Sequence, residues 1–273
     1  MSTKHNRTAS NGHVVAVDGM DIYYEMVGDG PPLLLLHNFF GSSQVWAQPF
    51  KERLAQTYRL VIPDLRGHGR SSNPSQTFTH RQVTQDLFAL LDYLSIAQYR
   101  AIGVSSGAMA LLHMATQQPE RVETLVLSSG TSYFPELCRE RQRWNTPENV
   151  PPERWQLLRE RHPRGDEQIH NLLRLFQEMA ETYEDMTFTP PHLATITAPT
   201  LIIHGDRDPF FPVNIPVEMY QAMPHSYLWI VPNALHLDPV GGYVDTQMQT
   251  RSALFKEYFT ETVFEFLEQG WMP

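Results

Sequence analysis

The feature that most constrains this chain is a serine set between two glycines in the stretch GVSSG at residues 103–107. A short apolar run, residues 101–104, leads into it, and a run with helical character, residues 108–115, follows it. A strand, a tight turn and a helix in this order bring backbone so close that side chains two positions from the serine would clash. Glycine at both positions removes those clashes, so we predict a strained turn that lifts the Ser105 hydroxyl above the edge of a sheet.

The motif holds two adjacent serines, and their neighbours distinguish them. Ser105 has glycine two residues away on either side, whereas Ser106 has Val104 and Ala108 at those positions. Ser106 therefore fits the turn poorly, and Ser105 is the candidate nucleophile. We expect Ser106 to contribute its backbone N–H, at the start of the following helix, and not its hydroxyl.

Short apolar runs that do not alternate with polar residues recur along the chain, which is typical of strands buried on both faces of a parallel sheet. Helical segments separate several of them; the clearest is 79–94, where Thr79 and Gln82 have the spacing of a capping box. An Asp-Gly pair at residues 18–19 predicts an antiparallel hairpin, and a last amphipathic helix is predicted at about 252–268. The class is therefore α/β, with helices on both faces of the sheet. The apolar runs are residues 33–36, 60–62, 101–104, 125–127, 201–203 and 228–231.

The alternation of strands and helices stops between residues 131 and 190, where the chain is charged, rich in proline and mostly helical in character. We interpret 131–190 as a helical cap (lid) inserted over the functional edge of the sheet; a helical excursion on the far side is the alternative. The predicted organisation is a flexible N-terminal tail, 1–12, a core formed by 13–130 and 191–273, and this cap.

Composition limits the classes of partner. A formal net charge of −9 argues against nucleic acid, and a single cysteine excludes an internal disulfide. The first dozen residues are polar, and no apolar run is long enough to span a bilayer, so we expect a cytoplasmic protein with no membrane partner, as a monomer or homodimer. Metal-ligand spacings and phosphate-binding loops are absent from the sequence, so we expect neither a metal nor a cofactor.

Two features of the predicted cap have open interpretations. Cys138 is either a reactive thiol or a passive side chain, and the passive interpretation is favoured. Arg139, Arg141 and Arg143 either attract an anionic substrate or form a solvated helix face balanced by nearby glutamates, which is the more common arrangement.

Side chains that could take part in catalysis follow four of the predicted strands. The stretch HNFFG at 37–41 and Ser105 come directly after apolar runs, and the pair Asp206 and Asp208 and the later His236 follow two further runs within a few residues. The carboxyl ends of parallel strands lie along one edge of a sheet, so these residues are expected to meet there. A serine hydroxyl needs an imidazole to take its proton, and a carboxylate fixes the tautomer of that imidazole.

The sequence resembles the α/β-hydrolase family over nearly its whole length. The resembling pieces are HNFFG at 37–41, DLRGHGRS at 64–71, GVSSG at 103–107, PTLIIHGDRDPFFP at 199–212 and the late His236. The resemblance implies an eight-stranded, mostly parallel sheet with a cap, and the chain order serine, acid, histidine.

The same resemblance assigns further roles. It favours Asp208, the second aspartate of G-D-x-D, as the acid beside His236, and it leaves Asp206 to hold the loop; Asp238 is a further carboxylate near the histidine. The stretch at 64–71 is interpreted as structural support.

The resemblance also places an oxyanion hole. Its donors are the backbone N–H groups of Phe39 and Ser106. Asn38 stands where the family usually has glycine, and its amide is a candidate substrate contact. Phe40, with Phe39, lines the acyl pocket or packs in the core.

We therefore predict a serine hydrolase of the carboxylesterase type. Ser105 is the nucleophile, His236 the general base and Asp208 the residue that orients it, acting on a small-molecule ester with an apolar acyl part. Serine at the elbow excludes the family's aspartate-nucleophile chemistries, haloalkane dehalogenation and epoxide opening. Lactonase, thioesterase, carbon–carbon bond hydrolase and acyltransferase activities remain open, as does a catalytically silent small-molecule receptor.

Overall fold

The structure is a computed structural model that describes residues 11–236, 253–269 and 271 of the chain. Most of the predicted tail, residues 1–10, lies outside the described residues. Strand β1 begins at Asn11, so the last two residues of the predicted 1–12 tail lie in this strand. Asn11 and Gly12 pair with Met26 and Glu25 of the next strand. Backbone pairing of this kind does not depend on apolar side chains, so two polar residues could extend the strand.

The described elements alternate in the predicted manner. The strands are β1 (Asn11–Val17), β2 (Met20–Val27), β3 (Pro32–Leu36), β4 (Arg59–Pro63), β5 (Tyr99–Val104), β6 (Val122–Ser128), β7 (Thr200–Gly205) and β8 (Ser226–Val231). The helices are α1 (Gln48–Leu54), α2 (His80–Tyr93), α3 (Ser106–Gln117), α4 (Glu136–Trp144), α5 (Pro152–Arg161), α6 (Asp166–Glu178), α7 (Pro190–Leu193), α8 (Asn214–Ala222) and α9 (Ala253–Gln269).

The eight strands form one open sheet in the order β1-β2-β4-β3-β5-β6-β7-β8. Strands β3 to β8 run parallel, and β1 and β2 are antiparallel additions at one end. Asp18 and Gly19 both have positive φ, 48° and 77°, as a two-residue hairpin turn requires. The predicted eight-stranded, mostly parallel sheet is confirmed.

The leucines of β3 explain why the parallel strands carry uninterrupted apolar runs. Leu34 and Leu36 belong to the core cluster on the side of α2 and α3. Leu33 and Leu35 belong to the cluster on the opposite side, which includes Phe50 of α1 and residues of α9. Both faces of the strand are covered by helices, so alternate residues have no reason to be polar.

The chain between β6 and β7 leaves the sheet and returns to it at one place. Tyr133 and Thr187 form an isolated antiparallel bridge, and the N–H of Phe188 donates to the carbonyl of Ser132 at 3.0 Å. Helices α4, α5 and α6 lie between these two points. They contribute residues to the cavity that Ser105 lines. Residues 131–190 are the predicted cap, and their role as a lid over the functional edge of the sheet stays a prediction.

One buried histidine attaches the cap to the core. The N–H of Gly69 donates to His162 Nδ1 at 3.0 Å, and His162 Nε2 lies 3.2 Å from the carbonyl of Phe40. His68 and His37 follow in a row, with ring centroids 5.9 Å and 5.3 Å apart. Burial lowers the pKa of each of these three imidazoles to about 3. The attachment therefore depends on neutral rings, because a protonated Nδ1 could not accept from Gly69.

Mild acid should weaken the folded state through this histidine row. The pKa of His162 falls from 6.5 to about 3 on folding. Between these values the unfolded chain binds more protons, so stability is lost as pH falls through the window. Each such imidazole lowers the free energy of unfolding by about 1.4 kcal/mol per pH unit below its unfolded pKa. Urea unfolding at about pH 7.5 and about pH 5.5 measures this loss.

The variant His162→Asn isolates one member of the row. We expect its free energy of unfolding to fall less than that of the wild type over the same pH interval, by about 1 kcal/mol. The matched control is His225→Asn, which removes an exposed histidine. Equal pH dependence of wild type and His162→Asn would contradict the role given to this ring.

Candidate active site

Ser105 lies in a sharp turn between β5 and α3. Its φ of 51° and ψ of −112° are in a region that residues other than glycine rarely occupy. A Cβ on Gly103 would lie 2.6 Å from the backbone of Gly107 and Ala108. A Cβ on Gly107 would lie 2.4 Å from the carbonyl oxygen of Leu36 in β3. Both glycines are therefore required by the close approach of α3 to the sheet, and the predicted turn is present.

A carboxylate and an imidazole meet at the ends of the last two strands of the sheet, β7 and β8. Asp208 follows β7, His236 follows β8, and His236 Nδ1 lies 2.6 Å from Asp208 Oδ2. The other oxygen, Oδ1, accepts from the N–H groups of Phe210 at 2.8 Å and Phe211 at 3.1 Å. The carboxylate is held from two sides and holds the ring in turn.

The electrostatics of the pair define the state of the imidazole. Burial alone would raise the pKa of Asp208, but the adjacent His236 and the hydrogen bonds that Asp208 accepts lower this pKa below its ordinary value. An ionised Asp208 keeps the proton of His236 on Nδ1, which leaves Nε2 free to accept one. His204, whose pKa burial lowers, lies 3.6 Å from the same carboxylate.

Asp206 has a different environment. Its Oδ1 accepts from the N–H of Ala234 at 3.1 Å, and its own N–H donates to the carbonyl of Val231 at 3.1 Å. It thus ties the loop after β7 to the loop after β8. The geometry agrees with the predicted division of roles between Asp206 and Asp208, while the catalytic assignment stays a prediction. Asp238 lies outside the described residues.

Ser105 and His236 line one cavity of about 120 Å³ beneath the cap. Among the described residues, no hydrogen bond joins the Ser105 hydroxyl to His236. Such contacts are often long without substrate and close when it binds. The wall is mainly aromatic and thioether side chains. The lining residues are Asn38, Phe39, Phe40, His80, Ser105, Ser106, Met109, Phe134, Cys138, Arg141, Gln142, Trp144, Asn145, Arg154, Phe176, Met179, Phe210, Phe211 and His236.

The two predicted oxyanion donors belong to residues on this wall. Ser106 is the first residue of α3, so its N–H has no acceptor within the helix. Phe39 lies in the turn after β3, where Phe40 has a φ of 64° and the N–H of Gly41 donates to Asn38 at 2.9 Å. Their catalytic use stays a prediction.

Asn38 could contact a substrate from its position on the cavity wall, and the two phenylalanines meet both of their predicted alternatives, pocket lining and core packing. The Oδ1 atom of Asn38 is buried without a partner among the described residues. Phe39 packs against Phe78 and Phe176, with ring centroids 5.0 Å and 5.1 Å away, and Phe40 also packs against Phe176. Because Phe39 and Phe40 also line the cavity, they are at once core and pocket wall.

The stretch at 64–71 has the geometry of structural support. Asp64 accepts from the N–H of Ser43 at 2.6 Å and of Arg70 at 2.8 Å, which links two loops. Arg66 makes two hydrogen bonds to Asp86 of α2, both 2.7 Å long. None of these residues is part of the cavity wall described above.

The three arginines of α4 have separate environments. Arg139 is buried and donates to two backbone carbonyls. Arg143 pairs with Glu136 at 2.6 Å and with Glu181 at 2.8 Å. Arg141 is exposed and lies on the cavity wall. The charge of Arg143 is thus balanced by glutamates on the helix surface, as one interpretation predicted. A contact of Arg141 with an anionic substrate stays open.

Cys138 is 2 % exposed and lies on the cavity wall. Burial and the nearby Asp208 carboxylate raise the pKa of its thiol. Since the thiolate is the reactive form, the environment favours the passive interpretation.

The Cys138 thiol should react slowly with an aromatic disulfide reagent in the folded protein and rapidly in urea. The reaction is followed by absorbance. The double variant Leu137→Cys, Cys138→Ser moves the thiol to a position that is 40 % exposed on the same helix, and it should react rapidly in both states. A fast folded-state reaction of Cys138 would restore the reactive interpretation.

Two further side chains of the site, His80 and Asp185, carry no local sequence signal that marks them as functional. His80 lies on the cavity wall and is bonded to both Ser106 and Asp185. A weak signal existed at Thr79, which caps α2 by accepting from the N–H of Gln82 at 3.1 Å and so fixes His80 as its first residue.

Within residues 11–236, 253–269 and 271, side chains do not form a group of three or more that could hold a metal ion. In the same residues, no helix combines the length and apolar character needed to cross a membrane.

Comparison with known proteins identifies the fold. The family model described as the alpha/beta hydrolase fold matches residues 31–153. An epoxide hydrolase of Caballeronia sordidicola is 32% identical over 113 residues, covering 41% of this chain and 34% of that protein. This chain thus spans about a third of the length of the epoxide hydrolases it matches.

Two other proteins match over most of the chain. A pimeloyl-[acyl-carrier protein] methyl ester esterase of Nitrosospira multiformis is 26% identical over 261 residues, covering 83% of this chain and 95% of that protein. The crystal structure of the enol-lactonase from Burkholderia xenovorans LB400 superposes with a TM-score of 0.72 at 22% identity, covering 94% of this chain and 100% of that one.

Proposed function

We propose that this chain, which has the α/β-hydrolase fold, is a serine hydrolase that cleaves carboxylic esters through an acyl-enzyme on Ser105. The observation that carries the proposal is the 2.6 Å contact between His236 Nδ1 and Asp208 on the wall of the cavity that Ser105 lines. An imidazole that is held by a buried carboxylate and shares a cavity with a strained, half-buried serine is the arrangement that activates a hydroxyl.

In the first half of the reaction Ser105 Oγ attacks the ester carbonyl carbon. His236 Nε2 takes the hydroxyl proton, and Asp208 stabilises the imidazolium that forms. The negative charge on the former carbonyl oxygen is met by the N–H groups of Phe39 and Ser106. The C–O bond to the alcohol then breaks, and His236 returns the proton to the departing alkoxide.

In the second half water replaces the alcohol. His236 takes a proton from the water as its oxygen attacks the acyl carbon, and the same two N–H groups meet the charge again. The bond to Ser105 Oγ breaks, and His236 returns the proton to that oxygen. The net change is one ester and one water converted to one acid and one alcohol.

The wall of the cavity supports an apolar, short acyl group. Phe39, Phe40, Met109 and Phe134 are among the side chains that face it. Its volume of about 120 Å³ is slightly less than the ~150 Å³ of an engineered cavity that binds benzene. We therefore infer that butyrate-sized acyl groups fit, whereas long acyl chains require the cap to move.

The relatives favour ester cleavage over epoxide opening. The relative named as a methyl ester esterase matches over most of both chains, whereas the match to the named epoxide hydrolase covers 34% of that protein. Epoxide opening in this family uses a carboxylate at the elbow, and this chain has Ser105 there. Lactones are cyclic esters and react with the same groups, so a lactone belongs in the substrate panel.

An organophosphonate should label Ser105 in the native protein. The reagent mimics the tetrahedral intermediate and is attacked by an activated serine hydroxyl. Digestion and mass spectrometry locate the added mass, and Ser105→Ala should lose it. Added mass on Ser106 in the wild type would overturn the assignment of the nucleophile.

Replacing Asp208 by asparagine should lower kcat for p-nitrophenyl butyrate by about 10⁴-fold, because the imidazole loses the partner that fixes its tautomer. Asp206→Asn is the matched control, and its kcat should change little because that side chain holds a loop. A large loss with Asp206→Asn and none with Asp208→Asn would show that the acid was wrongly chosen.

The same assay separates the enzyme from a silent receptor. We expect turnover of the butyrate ester to exceed that of the decanoate ester. A wild-type protein that turns over no ester or lactone and is not labelled by the phosphonate is not a serine hydrolase.

A further inference from the structure

A second serine–histidine–aspartate chain lies beside Ser105. His80 Nε2 lies 2.8 Å from Ser106 Oγ, and His80 Nδ1 lies 2.7 Å from Asp185 Oδ2. The connectivity is that of a catalytic triad, yet it involves the neighbour of the nucleophile. Both His80 and Ser106 line the cavity.

These hydrogen-bonded side chains connect three separate parts of the fold. Ser106 begins α3, His80 begins α2, and Asp185 belongs to the segment that returns from the cap. Asp185 also accepts from the backbone N–H of His80 at 2.9 Å, so it caps α2 with the oxygen that holds the ring. The three residues are 2 %, 0 % and 3 % exposed, so each contact is shielded from water.

The direction of the hydrogen bonds follows from the charge on Asp185. Burial would raise the pKa of this carboxyl, but His80 and the hydrogen bonds that it donates lower it to about 2. An ionised carboxylate keeps a proton on His80 Nδ1. When the ring is neutral, Nε2 is then an acceptor and the Ser106 hydroxyl donates to it.

This bond fixes the residue whose backbone N–H is a proposed oxyanion donor. The first turn of a helix lacks intrahelical bonds on its N–H groups and frays readily. Ser105, just before it, has a strained backbone that would relax if the neighbouring residue were free to move. Anchoring the Ser106 side chain to a buried ring holds its N–H at the required place.

We propose that His80 is a positioning residue for the oxyanion hole, acting through Ser106 Oγ and held by Asp185. The inference rests on the proposed function, because it assigns a role in stabilising the oxyanion formed when Ser105 attacks. It also makes the returning end of the cap a direct support of the reacting centre.

A second nucleophile is the other role that this connectivity allows. Ser106 lies in regular helix, and only Ser105 has the backbone conformation of the elbow. Attack by Ser106 would also displace its own N–H from the position of a donor. The positioning role uses the observed bond without moving either residue.

The test is a set of variants assayed with p-nitrophenyl butyrate. Ser106→Ala should lower kcat about tenfold with KM within twofold, because a misplaced donor affects the charged intermediate more than substrate binding. The rate at which an organophosphonate labels Ser105 should fall in parallel. Ser106→Thr, which keeps the hydroxyl, should recover most of both rates.

Thr84→Val is the matched control. Thr84 Oγ1 donates to the carbonyl of Ala110 at 3.2 Å, so the variant removes another buried hydrogen bond between α2 and α3 without reaching the cavity. It should leave kcat and labelling unchanged even if its free energy of unfolding falls.

His80→Ala completes a double-mutant cycle with Ser106→Ala. If the two residues act through one bond, the double variant should have the kcat of His80→Ala and no lower value. Should His80→Ala fail to fold, the comparison of Ser106→Ala, Ser106→Thr and Thr84→Val decides alone.

Two outcomes would overturn the inference while the wild type still labels at Ser105. One is an unchanged kcat and labelling rate in Ser106→Ala. The other is labelling of Ser106 in Ser105→Ala, which would make Ser106 a nucleophile. A wild type that neither turns over substrate nor labels defeats the proposed function, and the positioning role with it.

Discussion

The close approach of α3 to the sheet is the constraint on which the rest of the site depends. A methyl group at Gly107 would lie 2.4 Å from the carbonyl oxygen of Leu36, and one at Gly103 would meet the first turn of the helix. Only because both are absent can the chain turn directly from β5 into α3 with Ser105 at a φ of 51°. That turn places the hydroxyl and the N–H of Ser106 on the same cavity wall.

The strand pattern predicted how distant residues would meet. Uninterrupted apolar runs indicated parallel strands, and the residues following four of them come to one edge in the structure. Ser105 and His236 share a cavity, and Asp208 holds the histidine at 2.6 Å. A periodicity argument succeeds here because parallel topology brings all strand ends to the same side, whatever the loops between them contain.

The contacts that the predicted cap makes with the rest of the chain could not be predicted from the strand pattern. His80 and Asp185 are 105 positions apart, and Gly69 and His162 are 93 apart. Neither pair lies at matched strand ends, and their meeting depends on how three helices pack over the sheet. The start of β1 was not apparent either, because Asn11 and Gly12 join the strand through pairing with β2, which leaves no apolar pattern in the sequence.

The bridge between Tyr133 and Thr187 has an evolutionary consequence. The two ends of this inserted segment are already held together, and the entropic cost of closing a loop rises only slowly with its length. A change in the length of the segment therefore costs the folded sheet little free energy. Helices in this segment can therefore be lengthened, shortened or exchanged without rebuilding the strands below, and selectivity could diversify faster than the framework. The exchange would be constrained at His162 and Asp185, which accept hydrogen bonds from the backbone of Gly69 and of His80, outside the inserted segment.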